Sequence, residues 1–444
     1  MTSLVLYFLL IVGMAIYFVR PKMFFFYWLS IQPYILPVFF ILFKDSMMPM
    51  MDNYLPNLYF RYPYPFCNLI LLLFCASYTR KNIEKSRIKV ILLPIFLLVI
   101  FLTVQNFVIG FRPGSLYANI IYLFGNVAPF LLLLIDERVR PSRNSVIHFI
   151  YIFVYVQLFF SLLNLADVRI YTNVTDIFDD NLIQGTFTRY NHMTNYLSIF
   201  FFILSYEYYI CKRVKAKMFY FMALLIGLLI TLSGSRMTFV LFTFVLYFFF
   251  CLSHSKKVAF LVSLGAVSLF SMFVLGNDAF SGQKANEGSG FERNLIGVVE
   301  VANSDDLSEG STLELSAFLL IDKFNSPIIG NGKAYRGGEN FYGHPTDTLN
   351  EDVFKTDARL AYMLVEYGFI GLFLFLLLYA AIFKGCYLFG EEQFQSLYWG
   401  AFIYFILFSI TDNGFWDIVV ISALYIYAFS PKRNKRILSM EINS

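Results

Sequence analysis

Two arginines stand where a polar turn meets the start of an apolar run: Arg189 in Gly185-Thr-Phe-Thr-Arg189-Tyr-Asn-His192, and Arg236 in Leu232-Ser-Gly-Ser-Arg236-Met-Thr238. A guanidinium stays charged at every relevant pH and offers a planar fork to paired oxygens. An arginine so placed points to an anionic partner: an acidic side chain, a lipid phosphate or a ligand phosphate. The plain alternative is a side chain reaching ordinary lipid headgroups. A second set of candidates lies in one long polar stretch, residues 277–359, which carries Arg336, Glu339, His344, Asp347, Glu351, Asp352, Asp357 and Arg359. His344, in Gly343-His344-Pro345 among carboxylates, has the imidazole that accepts a hydroxyl proton near neutral pH; its bland counterpart is a solvated loop histidine. Glu366 follows at the mouth of the next apolar run, where an ionisable group is a functional candidate by default. A helix-start carboxylate favoured by the dipole is the competing account. Asp412, Asn413 and Asp417 lie in a later turn, where Asp412-Asn413-Gly414 is also ordinary turn chemistry.

The elements that must position these groups are read from composition. The chain is 58% hydrophobic, 20% aromatic and 14% charged, against a charged fraction of about a quarter in soluble domains. Apolar runs of about 17–25 residues, the length that crosses a hydrocarbon core, recur near 3–19, 23–43, 64–79, 90–110, 117–135, 146–166, 192–210, 217–233, 237–252, 257–275, 366–384, 395–411 and 414–430. The expected fold is an all-α polytopic membrane protein with about 12–13 transmembrane helices and one large extracytoplasmic loop containing short helices. Residues 1–276 form an N-terminal helix bundle, 277–359 the large loop, and 360–444 the C-terminal helices and a short tail. The run 23–43 contains Pro33 and Pro37 and is among the weakest. Met1–Val19 has neither a basic leader nor a small-residue cleavage site, so it reads as a retained first helix.

Lysine and arginine set the orientation. They crowd one alternate set of short loops, such as Arg80, Lys81, Lys85, Arg87 and Lys89 in one and Lys212, Arg213, Lys215 and Lys217 in another. The opposite short loops hold only Lys44, Arg61, Arg112, Arg169, Arg189 and Arg236. The basic side is cytoplasmic, so the C-terminus is expected inside and the 277–359 loop outside. This bias accounts for the net charge of +4 without a nucleic-acid partner. Cys67, Cys75, Cys211, Cys251 and Cys386 have no C-x-x-C spacing, so neither a metal site nor a disulfide framework is expected. There is also no phosphate-binding glycine loop and no H-E-x-x-H, and no cofactor is called for.

Within the large loop, Ser311-Thr312-Leu313-Glu314 opens an apolar-periodic run through Phe318, Leu319, Leu320, Ile321 and Phe324, a helix with a plausible cap. Asn325-Ser-Pro-Ile-Ile-Gly-Asn-Gly332 then breaks it. Residues 281–290 are rich in Gly, Ser and Asn and read as a linker. A last helix is expected from about Asp357 into the membrane.

The pattern resembles the bacterial O-antigen polymerase and ligase superfamily, particularly its Wzy-type polysaccharide polymerases. The residues that carry the resemblance are the Ser233-Gly234-Ser235-Arg236 turn, the late outer loop with Ser326-Pro-Ile-Ile-Gly330-Asn-Gly332, the segment Glu366-Tyr-Gly368-Phe-Ile-Gly371, and the earlier loop bearing Arg189. The resemblance implies a metal-independent glycosyltransferase at the outer face of the cytoplasmic (inner) membrane. Its substrate would be an undecaprenyl-pyrophosphate-linked oligosaccharide, for O-antigen, capsule or exopolysaccharide, with a chain-length regulator protein as a further partner. It implies that Arg189, Arg236, Arg336 and Arg359 bind pyrophosphate, and that His344, Glu366 or Asp357 takes the acceptor proton. Ligases of the superfamily typically carry a His-Asn pair in this loop; here Pro345 follows His344, which weakens His344 as the base and favours polymerase over ligase. A flippase of lipid-linked oligosaccharides is the non-enzymatic alternative. It calls for ionisable groups deep in several spans, whereas charges here gather at span ends, with Glu207 the main exception.

Overall fold

The computed structural model describes residues 2–42, 70, 73, 85–108, 137–139, 141–166, 168, 170, 183–187, 190–233, 236–253, 327–330 and 359–389. Every regular element among them is helical. In chain order these are α1 (Thr2–Val19), α2 (Pro21–Ser30), a π turn (Ile31–Ile35), α3 (Leu36–Leu42), α4 (Lys85–Val108), a 3-10 turn (Glu137–Val139), α5 (Arg143–Leu165), α6 (Tyr190–Tyr209), α7 (Ala216–Leu232), α8 (Arg236–Ser253) and α9 (Arg359–Phe389). The expected runs at 3–19, 23–43, 90–110, 146–166, 192–210, 217–233, 237–252 and 366–384 all coincide with helix. Of the run 64–79 only residues 70 and 73 are described, both helical; the other four runs, and the helix expected at 311–324, lie outside the described residues. One described helix, Arg143–Leu165, is long and apolar enough to cross a membrane by the length and composition of a single element.

The prolines of the second run do not end it. Pro33 and Pro37 each lack a backbone donor, and the helix widens to a π turn over Ile31–Ile35 before resuming as α3. A π turn absorbs such a misfit by shifting the hydrogen-bond register.

The chain divides into two compact units, one of residues 1–30, 43–143 and 310–444, the other of 31–42 and 144–309. In the first, α1 folds back on α2: the Tyr27 hydroxyl donates to Leu9 O at 2.6 Å, and the Tyr17 and Phe24 rings meet edge-on at 6.0 Å. Arg138 closes this corner, donating to the Tyr17 hydroxyl at 3.1 Å with its guanidinium 5.6 Å from the ring centre. Elsewhere in this unit α4 packs along α9, with Phe101 seated on Gly371; a Cβ there would stand 2.8 Å from Phe101 Cε1.

In the second unit, α6 is buried on every face from Met193 to Glu207, and α5, α7 and α8 present one face each to the interior. Rings fill the contacts. Phe201 meets Phe242 of α8 at 4.4 Å, and Tyr208 stacks on Phe219 of α7 at 4.3 Å. Phe153 of α5 stacks on Tyr196 at 5.5 Å.

Polarity is distributed against the usual soluble rule. The buried side of α5 carries Gln157, Ser161 and Asn164, and that of α4 carries Gln105 and Asn106. The exposed side of α5 shows Ile152, Phe159, Leu162 and Leu165, and that of α4 shows Leu93, Phe96, Ile100, Val104 and Phe107. Large apolar side chains face outward while amides face inward.

Candidate functional site

Two places in the structure gather the residues singled out by sequence, one in each unit. The first is a break in α9. Its φ/ψ at Gly368 are 65° and −172°, a left-handed, extended state that an L side chain rarely adopts. The helix therefore consists of two segments, and the second begins with backbone N–H groups that no helical carbonyl can reach. The turn Pro327–Ile329 supplies the acceptors: Phe369 N donates to Pro327 O at 2.9 Å and Ile370 N to Ile328 O at 3.1 Å. Gly330, at φ 74°, ends that turn. The side-chain amide of Gln105, from α4, donates to Ile329 O. The approach is too close for anything but glycine: a Cβ on Gly368 would lie 2.5 Å from both Gly330 N and Ile328 O.

This junction brings residues 327–330, from one of the segments that read as motifs in the sequence, against the break in the other, 366–371. It also relocates Glu366. The helix opens at Arg359, so Glu366 stands in the turn just ahead of the break, two residues before Gly368. Arg359 is the opening residue itself. The expected start of this helix near Asp357 is met within two residues.

The second place is the shared end of α6 and α8. Thr238 Oγ1 donates to Thr194 Oγ1 at 3.1 Å. Further along, Phe201 pairs with Phe242 and Tyr209 with Phe249, so the two helices run in the same direction with their first turns side by side. Arg236 opens α8, and Tyr190, the neighbour of Arg189, opens α6. Gly234 and Ser235 lie outside the described residues, but the helices on either side are in place: α7 ends at Leu232, Ser233 caps it by donating to Ile230 O at 2.7 Å, and α8 starts at Arg236. Arg236 thus opens α8 at the same end of the parallel pair at which Tyr190 opens α6. Helix first turns carry partial positive charge, and two lying side by side make this end a favourable place for an anion.

Leading into α6, residues 183–187 are buried and held by side-chain amides from α5. Gln184 N and Gly185 N both donate to Asn164 Oδ1, at 3.2 and 2.9 Å. Thr186 N donates to Gln157 Oε1 at 3.0 Å, and Gln157 Nε2 donates to Thr186 Oγ1 at 2.8 Å. Sequence reading passed over Gln157 and Asn164, although amides one face apart in an apolar run were the available signal. Gln105 was missed in the same way. Arg189, Arg336, His344 and Asp357, with Asp412, Asn413 and Asp417, lie outside the described residues. No family model, curated protein or solved structure matches the chain.

Proposed function

We propose that the protein is a polytopic enzyme of the cytoplasmic membrane that polymerises lipid-linked oligosaccharide repeats, transferring glycan from an undecaprenyl pyrophosphate carrier to the non-reducing end of another lipid-linked unit. The observation that carries the reading is the side-by-side first turns of α6 and α8, with Arg236 opening one helix and Arg189 preceding the other by one residue in sequence. Membrane residence is supported by the outward apolar faces and inward amides of α4 and α5, because lipid solvates the first and only protein can satisfy the second.

In this reaction the acceptor hydroxyl attacks the donor's anomeric carbon. The new glycosidic C–O bond forms as the bond from that carbon to the pyrophosphate oxygen breaks, and the carrier leaves with the electron pair. The departing group gains negative charge, which Arg189 and Arg236 neutralise, with Arg336 and Arg359 as further candidates. Fixed charges of this kind lower a barrier by several kcal/mol. The acceptor's proton passes to a base, for which Glu366, Asp357 and His344 are the candidates.

The test is reconstitution. Purified protein in liposomes, given one undecaprenyl-pyrophosphate-linked repeat with no nucleotide sugar, no ATP and excess EDTA, is expected to yield a ladder of longer products. Each extension releases one undecaprenyl pyrophosphate. Transfer only to a different acceptor would identify a ligase, and movement across the bilayer with no new glycosidic bond a flippase. Activity that collapses on chelation would contradict the arginine chemistry.

A further inference from the structure

The connection between α6 and α7 holds Lys212, Arg213, Lys215 and Lys217 within six residues, and all four are exposed. Val214, among them, is buried and pins the loop with its basic neighbours outside. The backbone is fixed as well: Cys211 N donates to Tyr206 O at 3.2 Å and Arg213 N to Glu207 O at 2.9 Å. Glu207 is the one acidic residue between 190 and 253, and at 3% exposure its carboxylate does not share the surface with the four cations.

Two of the lysines stand where chain geometry argues against them. Lys212 has φ 55°, the only positive φ outside glycine among the described residues, a conformation that strains an L side chain and suits glycine. Its ammonium lies 6.0 Å from the centre of the Tyr208 ring. Lys215 takes the N-cap of α7 with no side-chain hydrogen bond, where Ser, Thr, Asp or Asn would accept one. A cation there also meets the positive end of the helix dipole, and Lys217 adds another in a first turn that has no acidic residue. Held so close, the four charges repel one another, and an anionic partner outside the loop turns that repulsion into attraction.

The residues that follow identify the partner. Beyond Lys217 the exposed side chains of α7 are first Tyr220 and Phe221, then Leu224 and Leu228. Charged, then aromatic, then aliphatic is the order met on passing from lipid headgroups through the interface into hydrocarbon. An acidic protein partner gives no reason for such a gradient.

We propose that residues 212–217 form a docking surface for anionic phospholipids, with the four basic side chains on headgroup phosphates and Tyr220 and Phe221 at the headgroup boundary. This inference rests on membrane residence and not on the polymerase chemistry.

The test measures which lipid gathers at the loop. Full-length, otherwise cysteine-free protein with a fluorophore on Ala216→Cys is placed in phosphatidylcholine nanodiscs. These carry equal traces of nitroxide-labelled phosphatidylglycerol or nitroxide-labelled phosphatidylcholine. Phosphatidylglycerol is expected to quench with about fivefold preference, what one basic side chain contributes at an anionic surface. The preference is expected to fall to parity in about 1 M salt, and in the variant with all four basic residues changed to Gln. Should that variant not fold, Lys212→Gly and Lys215→Asp serve instead. Each relieves a local conflict, so each is expected to raise the thermal midpoint while lowering the preference by about twofold or more. Equal quenching by both lipids in the parent, a preference indifferent to salt, or one retained by these variants overturns the inference and leaves membrane residence intact. Quenching by neither lipid overturns both.

Discussion

Gly368 shows how one residue type is dictated by chain geometry at a distance. Two requirements meet there, a left-handed φ of 65° and a backbone from another segment 2.5 Å from where a Cβ would be. Gly368→Ala is therefore expected to lose about 1–3 kcal/mol to conformation alone, with the clash added, and to lower the thermal midpoint in detergent sharply. Gly227→Ala is the matched control. Its Cβ would stand 3.1 Å from Phe242 Cζ, the end of a ring that can shift, and alanine is the better helix former. A change within about 1 kcal/mol is expected. A second contrast concerns Arg236, where lysine keeps the charge and loses the fork. Arg236→Lys is expected to impair polymer formation nearly as much as Arg236→Ala, scored as chain-length distribution on a gel. Normal chains from an Arg189→Ala, Arg236→Ala double variant would remove the pyrophosphate role. At this scale the sequence exposes residue types well and residue states poorly. Gly185 and Gly368 were visible as letters, but their positive φ depends on partners 28 residues earlier in one case and 38 earlier in the other.

Elements were the most legible level, because hydrophobic run length reports helix existence directly. The expected run 237–252 and the observed Arg236–Ser253 differ by a residue at each end. What run length does not report is where a helix breaks. Glu366-Tyr-Gly-Phe-Ile-Gly371 lies inside one apolar stretch and gives no stop signal of its own. The break at Gly368 exists because carbonyls of Pro327 and Ile328 take over the N–H groups it frees. The converse holds for Pro33 and Pro37, whose local signals argue for an interruption that a π turn absorbs. The junction of α4, α9 and the 327–330 turn gives the prediction at this scale. Gln105 is 3% exposed and donates to Ile329 O. Gln105→Leu leaves that carbonyl without this donor, at an expected cost of about 1–3 kcal/mol. Combined with Gly368→Ala, the loss in stability is expected to fall short of the sum, since both release the same turn. Additive losses in thermal unfolding would mean that the two contacts support different structures.

The whole molecule raises the question of which solvent its outer faces meet. An apolar run of membrane length also fits the core helix of a large soluble protein, so length alone decides little. The sidedness of each helix decides more. In a soluble core the exposed positions of α4 would be charged, yet Leu93, Phe96, Ile100, Val104 and Phe107 hold them while Gln105 and Asn106 are inside. Exposing these side chains to water would cost roughly 1.5–3 kcal/mol each, and burying the amides without partners would cost more. A bilayer removes the first cost, and the interior hydrogen bonds of α4 and α5 remove the second. Orientation then follows from charge. Lys and Arg crowd alternate loops, Lys212 to Lys217 among them, while the short loops opposite are nearly bare, and on the proposed reading the basic side is expected in the cytoplasm. On that reading the 277–359 stretch is expected on the bare side, which is where a lipid-linked donor delivered to the outer leaflet would have to meet its acceptor. A single cysteine at Asn286, in a variant with all 5 native cysteines replaced, is expected to react with a membrane-impermeant thiol reagent in intact cells or spheroplasts. A second variant with its only cysteine at Lys215, in the loop between α6 and α7, is expected to react only after lysis. Reversal of the two patterns would turn the protein over in the membrane. Arg236 would then face the cytoplasm, and the extracytoplasmic polymerase reading would fall with the orientation that supports it.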